Sequence, residues 1–141
     1  MHDLLSIRVY LDSNVLFSAS YKSYSPFLKF WNLRNVKPVT SQYAVGEVSR
    51  NIKTSIHRER FESLLAQTQF ISDANLGYIP QSITLAPKDQ PILAAAIFSS
   101  IEYLVTGDAN HFGHLHNTAV AHVKILSPME FLELHKDRLI R

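Results

Sequence analysis

The sequence predicts an α/β domain built on a mainly parallel sheet, and three observations carry that reading. Short β-rich runs alternate with helical stretches along the chain, the order that produces strand–helix–strand crossovers. With 141 residues, 46% hydrophobic and only 18% charged, the chain can bury a core and does not read as disordered. It has no cysteine, which excludes a disulfide scaffold, cysteine-ligated zinc, iron–sulfur clusters and thiol catalysis. No repeat, low-complexity tract or composition shift marks a linker, so residues 1–141 read as a single domain.

The elements follow in order. Ile7-Arg8-Val9-Tyr10-Leu11 is β-branched and aromatic, the composition of a first strand. Phe27, Leu28, Phe30, Trp31 and Leu33 suit an apolar helix face, with Pro26 near its start. Pro38-Val39-Thr40 reads as a second strand, and Ala44, Val45, Val48 and Ile52 recur at helical spacing. Phe61, Leu64 and Leu65 continue the pattern in another helix. Gln69-Phe70-Ile71 and Tyr78-Ile79 are competing third strands, and the pattern does not choose between them. Ile92, Leu93, Ala96, Ile97 and Ser100 form a helix with one apolar stripe, started near Pro91. Residues 102–106 and 122–126 are strands, and Ser127-Pro128-Met129-Glu130 is a capping box opening a last helix.

Open α/β sheets bind ligands at the carboxyl ends of their strands. Asp12 immediately follows the first strand, and Asp108 follows the strand ending at Thr106, with Gly107 as the turn residue. Asp89 shares the azimuth of Ile92 and Leu93, and Glu47 lies beside the apolar stripe of its helix. Read singly, Asp12 and Asp89 are helix caps, Asp108 is a turn residue and Glu47 is a solvated helix residue. Read jointly, four acids at one sheet edge repel strongly. Two unit charges at about 4 Å cost about 4 kcal/mol at an effective dielectric of about 20, and a divalent cation offsets that.

Those segments resemble the PIN domain family. Leu11-Asp12-Ser13-Asn14-Val15-Leu16 looks like its opening motif, and Gly46-Glu47-Val48 matches the position of its second acid. Asp89-Gln90-Pro91-Ile92-Leu93-Ala94-Ala95-Ala96 resembles the third, and Leu104-Val105-Thr106-Gly107-Asp108 the fourth. Residues 125–132 look like the family's ending, and the segment from Arg58 to Ala86 contributes least. The resemblance implies a three-layer α/β/α sandwich and a Mg²⁺- or Mn²⁺-dependent endoribonuclease. Compact prokaryotic members are often toxins of the VapC type, neutralised by a cognate antitoxin and often homodimeric. It assigns Asp12, Glu47, Asp89 and Asp108 to a catalytic metal site, with Asn14 and Thr106 assisting by hydrogen bonds. Where family members often carry a further acid beyond the fourth, Asn110 and His111 stand here, which leaves a second metal open.

An all-oxygen site suits Mg²⁺ or Mn²⁺ rather than zinc, and such an ion serves phosphodiester hydrolysis. Arg50, Lys53, Arg58 and Arg60 follow Glu47 closely; they are either a solvated helix end or a track for RNA phosphates. The formal charge of +2 is compatible with an RNA partner without indicating one. Tyr21, Tyr24, Phe27, Phe30 and Trp31 are mostly core, with any exposed ring available for a base or a partner helix. His111, His114, His116 and His122 read as a polar surface loop rather than a zinc site, since their spacing fits no helical face. No apolar run approaches the ~20 residues of a membrane span, and the N-terminus does not read as a signal peptide, so a cytoplasmic location is expected. Two rivals are a non-catalytic PIN-like module binding RNA or protein, and a response-regulator-like phosphoacceptor. The latter wants a Lys after its fifth strand, where this chain offers Ser127.

Overall fold

The computed structural model describes residues 5–107 and 112–140. Chain order is β1 (Ile7–Leu11), α1 (Ser13–Tyr21), a 3-10 turn (Pro26–Trp31), β2 (Val36–Thr40), α2 (Gln42–Asn51) and α3 (Ser55–Leu65). Then come β3 (Gln69–Phe70), α4 (Gln90–Phe98), β4 (Tyr103–Val105), β5 (Ala119–Val120), β6 (Val123–Leu126) and α5 (Pro128–Leu134).

Among the described residues the sheet has six strands in the order β3-β2-β1-β4-β6-β5. All neighbours are parallel except the β5–β6 pair. The order reverses between β1 and β4, so the crevice at their carboxyl ends is a topological switch point. A phosphoacceptor domain of the flavodoxin-like type runs 2-1-3-4-5 instead, and this order removes that rival.

Alternation along the strands builds two cores. Tyr10, Leu104 and Ile125 face α4, together with Ile92, Leu93, Ala95 and Ala96. Val9, Leu11, Val105 and Leu126 face the other way, against Val15, Leu16, Phe61 and Phe131 of α1, α3 and α5. Helices on both faces of a parallel sheet give the expected three layers. No helix among the described residues is long and apolar enough to cross a membrane.

Four elements differ from the sequence reading. The apolar stretch at 27–33 forms a short 3-10 turn, capped by Ser25 and closed at Asn32, because the chain must reach β2 within a few residues. Gln69–Phe70 is the third strand, pairing with Val39 and Thr40, whereas Tyr78 ends a 3-10 turn. In α4 every residue from Ile92 to Ala96 is buried, so it has no single stripe. The strand β5 was not anticipated. The capping box is present as read: Glu130 N donates to Ser127 Oγ at 3.1 Å, and Ser127 N donates to Glu130 Oε1 at 2.8 Å.

Candidate active site

The site starts where β1 ends. Asp12 N donates to Val105 O at 3.1 Å, so the first residue after β1 is held beside the last residue of β4. Thr106, the next residue on that side, donates from Oγ1 to Asp12 Oδ2 at 2.8 Å. On the helix side, Ser13 N donates to Asp12 Oδ1 at 2.6 Å. Asp12 therefore does cap α1, and its carboxylate is only 2% exposed. The capping and functional readings are not exclusive.

Asn14, one residue into α1, ties the two strand ends together. Its Oδ1 accepts from Gly107 N at 3.0 Å, and its Nδ2 reaches Thr106 Oγ1 at 3.4 Å. A Cβ on Gly107 would sit 3.3 Å from Asn14 Oδ1, so a side chain there would press on this tether. The segment leading to Asp108 is thus fixed up to Gly107. Asp108 itself, with Asn110 and His111, lies outside the described residues.

Glu47 and Asp89 arrive from two further helices. Glu47 is half-buried on α2, and Ser13 Oγ donates to its Oε1 at 3.0 Å while lying 3.3 Å from Asp12 Oδ1. One hydroxyl therefore links two carboxylates, a contact the sequence reading missed although Ser13 sits inside the opening motif. Asp89 precedes α4 in the αR region, and its side chain makes no capping hydrogen bond, so the helix-cap reading does not account for it. Tyr43 Oη donates to Lys88 O at 2.7 Å and fixes the segment that carries it.

Asp12, Glu47 and Asp89 line one open cavity of about 520 Å³ with Asn14, Asn51 and Lys88. Burial pushes the Asp12 carboxyl up to about 6, against the hydrogen bonds from Thr106 and Ser13, and the charges of Glu47 and Asp89 push it the same way. Neither Asp12 nor Glu47 forms an ion pair with a cation among the described residues. Among those residues, no three Asp, Glu or His side chains close into an ion cage. The donor set itself fits a hard cation: carboxylates from three elements line one cavity, and the charges of Glu47 and Asp89 oppose ionisation of Asp12.

The other sequence candidates separate. Arg50 and Lys53 are exposed, whereas Arg58 and Arg60 are half-buried and used locally. Arg58 donates to Ser49 O at 3.1 Å and Arg60 to Tyr21 O at 2.9 Å, so these two clamp α3 to its neighbours. His114 Nε2 bonds Thr84 O at 2.8 Å and His116 Nε2 bonds Thr106 O at 3.3 Å, while His122 lies exposed at a turn. The His114 and His116 rings are spent on separate carbonyls. A pair the sequence did not announce is His57 with Ser20, both buried, with Nε2 and Oγ 2.8 Å apart.

Fold and site together define an open α/β protein with carboxylates gathered at the switch point of its sheet. The sequence model of the PIN domain matches residues 8–110, and the chain belongs to that family. A similar solved structure is the crystal structure of VapBC2 from Rickettsia felis bound to a DNA fragment from its promoter. The two are 15% identical, the match covers 86% of this chain and 98% of that one, and the TM-score is 0.64. No curated protein matches the chain by sequence.

Proposed function

We propose that this protein is a divalent-metal-dependent endoribonuclease. The observation that carries the reading is the buried Asp12, forced to share one cavity with Glu47 and Asp89. Burying a carboxylate beside two others costs stability, and a cavity open to solvent gives that cost a use. Asp12, Glu47, Asp89 and Asp108 would hold Mg²⁺ or Mn²⁺. When bound, the ion supplies charge neutralisation at the scissile phosphate and a more acidic water.

The chain's own residues do the rest. Thr106 and Asn14 hold the Asp12 carboxylate in one orientation, and the bond from Gly107 N to Asn14 fixes the chain up to Gly107. Ser13 keeps Glu47 turned toward Asp12. Any of the carboxylates free of the ion can accept a proton from the attacking water. Lys88, at the cavity wall, offers a cation to the phosphate backbone, and Arg50 and Lys53 extend that charge outside it.

The biological setting proposed is that of a toxin restrained by an antitoxin. The family membership and the fold shared with a toxin–antitoxin complex support it. The test is cleavage of single-stranded and structured RNA pools with Mg²⁺, with Mn²⁺ and with chelator. Cleavage that needs the ion and is lost in Asp108→Asn supports the reading. Cleavage that persists in chelator contradicts it.

A further inference from the structure

A second cavity opens beside the acidic one and shares a wall with it. It has a volume of about 350 Å³, and Phe17, Ser18, Tyr21, Lys22, Tyr24 and Phe27 line it. Phe17 and Ser18 belong to both cavities. The shared wall is one face of α1, on which Ser13, Asn14, Phe17, Ser18 and Tyr21 recur at helical spacing. From Ser13 to Tyr21 is about 12 Å along the axis, a distance that a strand held at the acids crosses within a nucleotide or two.

The chemistry of this cavity is that of a stacking platform. Tyr21 and Tyr24 are 55% and 76% exposed. Phe17 and Tyr21 already stack, with centroids 5.9 Å apart and planes 21° apart. His57 braces both rings edge-on, at 4.7 and 5.4 Å, and is itself held by Ser20. The Phe17–Tyr21 part of the wall is therefore held before anything binds, which lowers the entropic cost of binding there. Lys22 Nζ lies 5.7 Å from the centroid of the Tyr24 ring, which puts a cation at the rim. A flat apolar slot with a cation at its edge matches a base joined to its phosphate.

We infer that this cavity is a nucleobase subsite, which takes one unstacked base of a single-stranded RNA whose backbone lies across the acids. The inference rests on the nuclease reading for the identity of the strand. Its volume lies near the lower end of the ~300–1,000 Å³ range of small-ligand cavities. Tyr24 supplies the stacking face and Lys22 the counter-charge, and neither belongs to the acidic site.

The test uses single-stranded RNA oligonucleotides that each carry one 2-aminopurine, moved along the strand, with chelator present so that nothing is cleaved. Stacking on an aromatic ring quenches this base. The wild type and Tyr24→Phe should quench it at one position or two adjacent ones. Tyr24→Ala should abolish the quench and weaken binding about tenfold. Lys22→Ala should weaken all the oligonucleotides alike and flatten the salt dependence. Circular dichroism confirms that each variant is folded. No quench at any position in the wild type, or full quench in Tyr24→Ala, overturns the inference; in the second case the face is free for a protein ligand. The two readings fail separately. Ion-dependent cleavage without quench removes the subsite alone, and quench without cleavage removes the nuclease alone.

Discussion

The two ends of the central strands treat their acids in opposite ways. At the amino ends, Glu102 precedes β4 and receives Arg8: the backbone N donates to Oε1 at 3.1 Å, and the guanidinium Nε lies 3.9 Å from the same oxygen. Arg8 Nη2 also donates to Ser99 O at 2.6 Å, and Arg138 Nη1 donates to Leu5 O at 2.7 Å. At the carboxyl ends, Asp12 and Glu47 receive hydroxyl, amide and backbone donors but no described cation. The fold can neutralise an acid at its strand ends, and it does so at the amino ends, where Arg8 and Glu102 line a cavity of about 530 Å³ together. Leaving charge uncompensated at the other end costs stability, the pattern expected where a sequence serves a ligand rather than the fold.

The contrast breaks first in activity. Asp12→Asn removes a charge while keeping size and one oxygen, and should lower RNA cleavage by roughly 100-fold or more with the fold intact. Glu102→Gln, at the neutralised end, should cleave like the wild type and lose at most about 1 kcal/mol of stability. Parallel cleavage assays and chemical denaturation of the two variants make the comparison; equal activity in both would erase it. Asn14→Ala should fall between them. It leaves Asp12 in place but frees Gly107, and a loss of about 10-fold in cleavage is expected, as for groups that orient ligands.

The smallest effect concerns pH. Burial lowers the pKa of His57 below the ordinary value, so the native ring takes up a proton less readily than the unfolded one. The unfolded chain takes up the proton first, so stability is full above about pH 6.5 and declines as pH falls toward the lowered native value. Asp12, pushed up to about 6, titrates in the same window with the opposite sign and is common to both proteins, so on going from about pH 6.5 to 5 the melting temperature of His57→Gln should rise more, or fall less, than that of the wild type. Identical slopes would show that this ring does not titrate differently on folding.

The carboxyl-end half of this contrast was legible in the sequence, because local chemistry writes it, whereas the pairing of Arg8 with Glu102 was not. The run from Ile7 to Leu11 announces a strand and places Asp12 at its end, and the spacing of Val45 and Val48 puts Glu47 at the edge of a buried face. The Ser127–Glu130 capping box was read with both of its bonds. What escaped depends on contacts between distant residues. Ser13 meets Glu47 and Ser20 meets His57 only after α1, α2 and α3 have packed, and neither pair has a spacing signal. The β5–β6 hairpin was hidden for another reason. Ala121 and His122 both take positive φ, 48° and 72°, where sequence habit looks for Asn-Gly. The 3-10 turn at Pro26–Trp31 carries a helix-like apolar pattern in a stretch too short to wind as an α-helix.

The central claim is that the carboxyl-end acids are arranged for a cation at the expense of the metal-free fold. Thermal melts of the wild type and Asp12→Asn, each with chelator and then with Mg²⁺ or Mn²⁺, test it most directly. Burial that pushes Asp12 up to about 6 means its charge costs the metal-free fold roughly 3 kcal/mol at neutral pH. In chelator, Asp12→Asn should therefore melt above the wild type. The ion should raise the wild type's melting temperature by mass action and leave that of Asp12→Asn nearly unchanged. A wild type that melts higher in chelator and gains no more than Asp12→Asn from the ion would contradict the account.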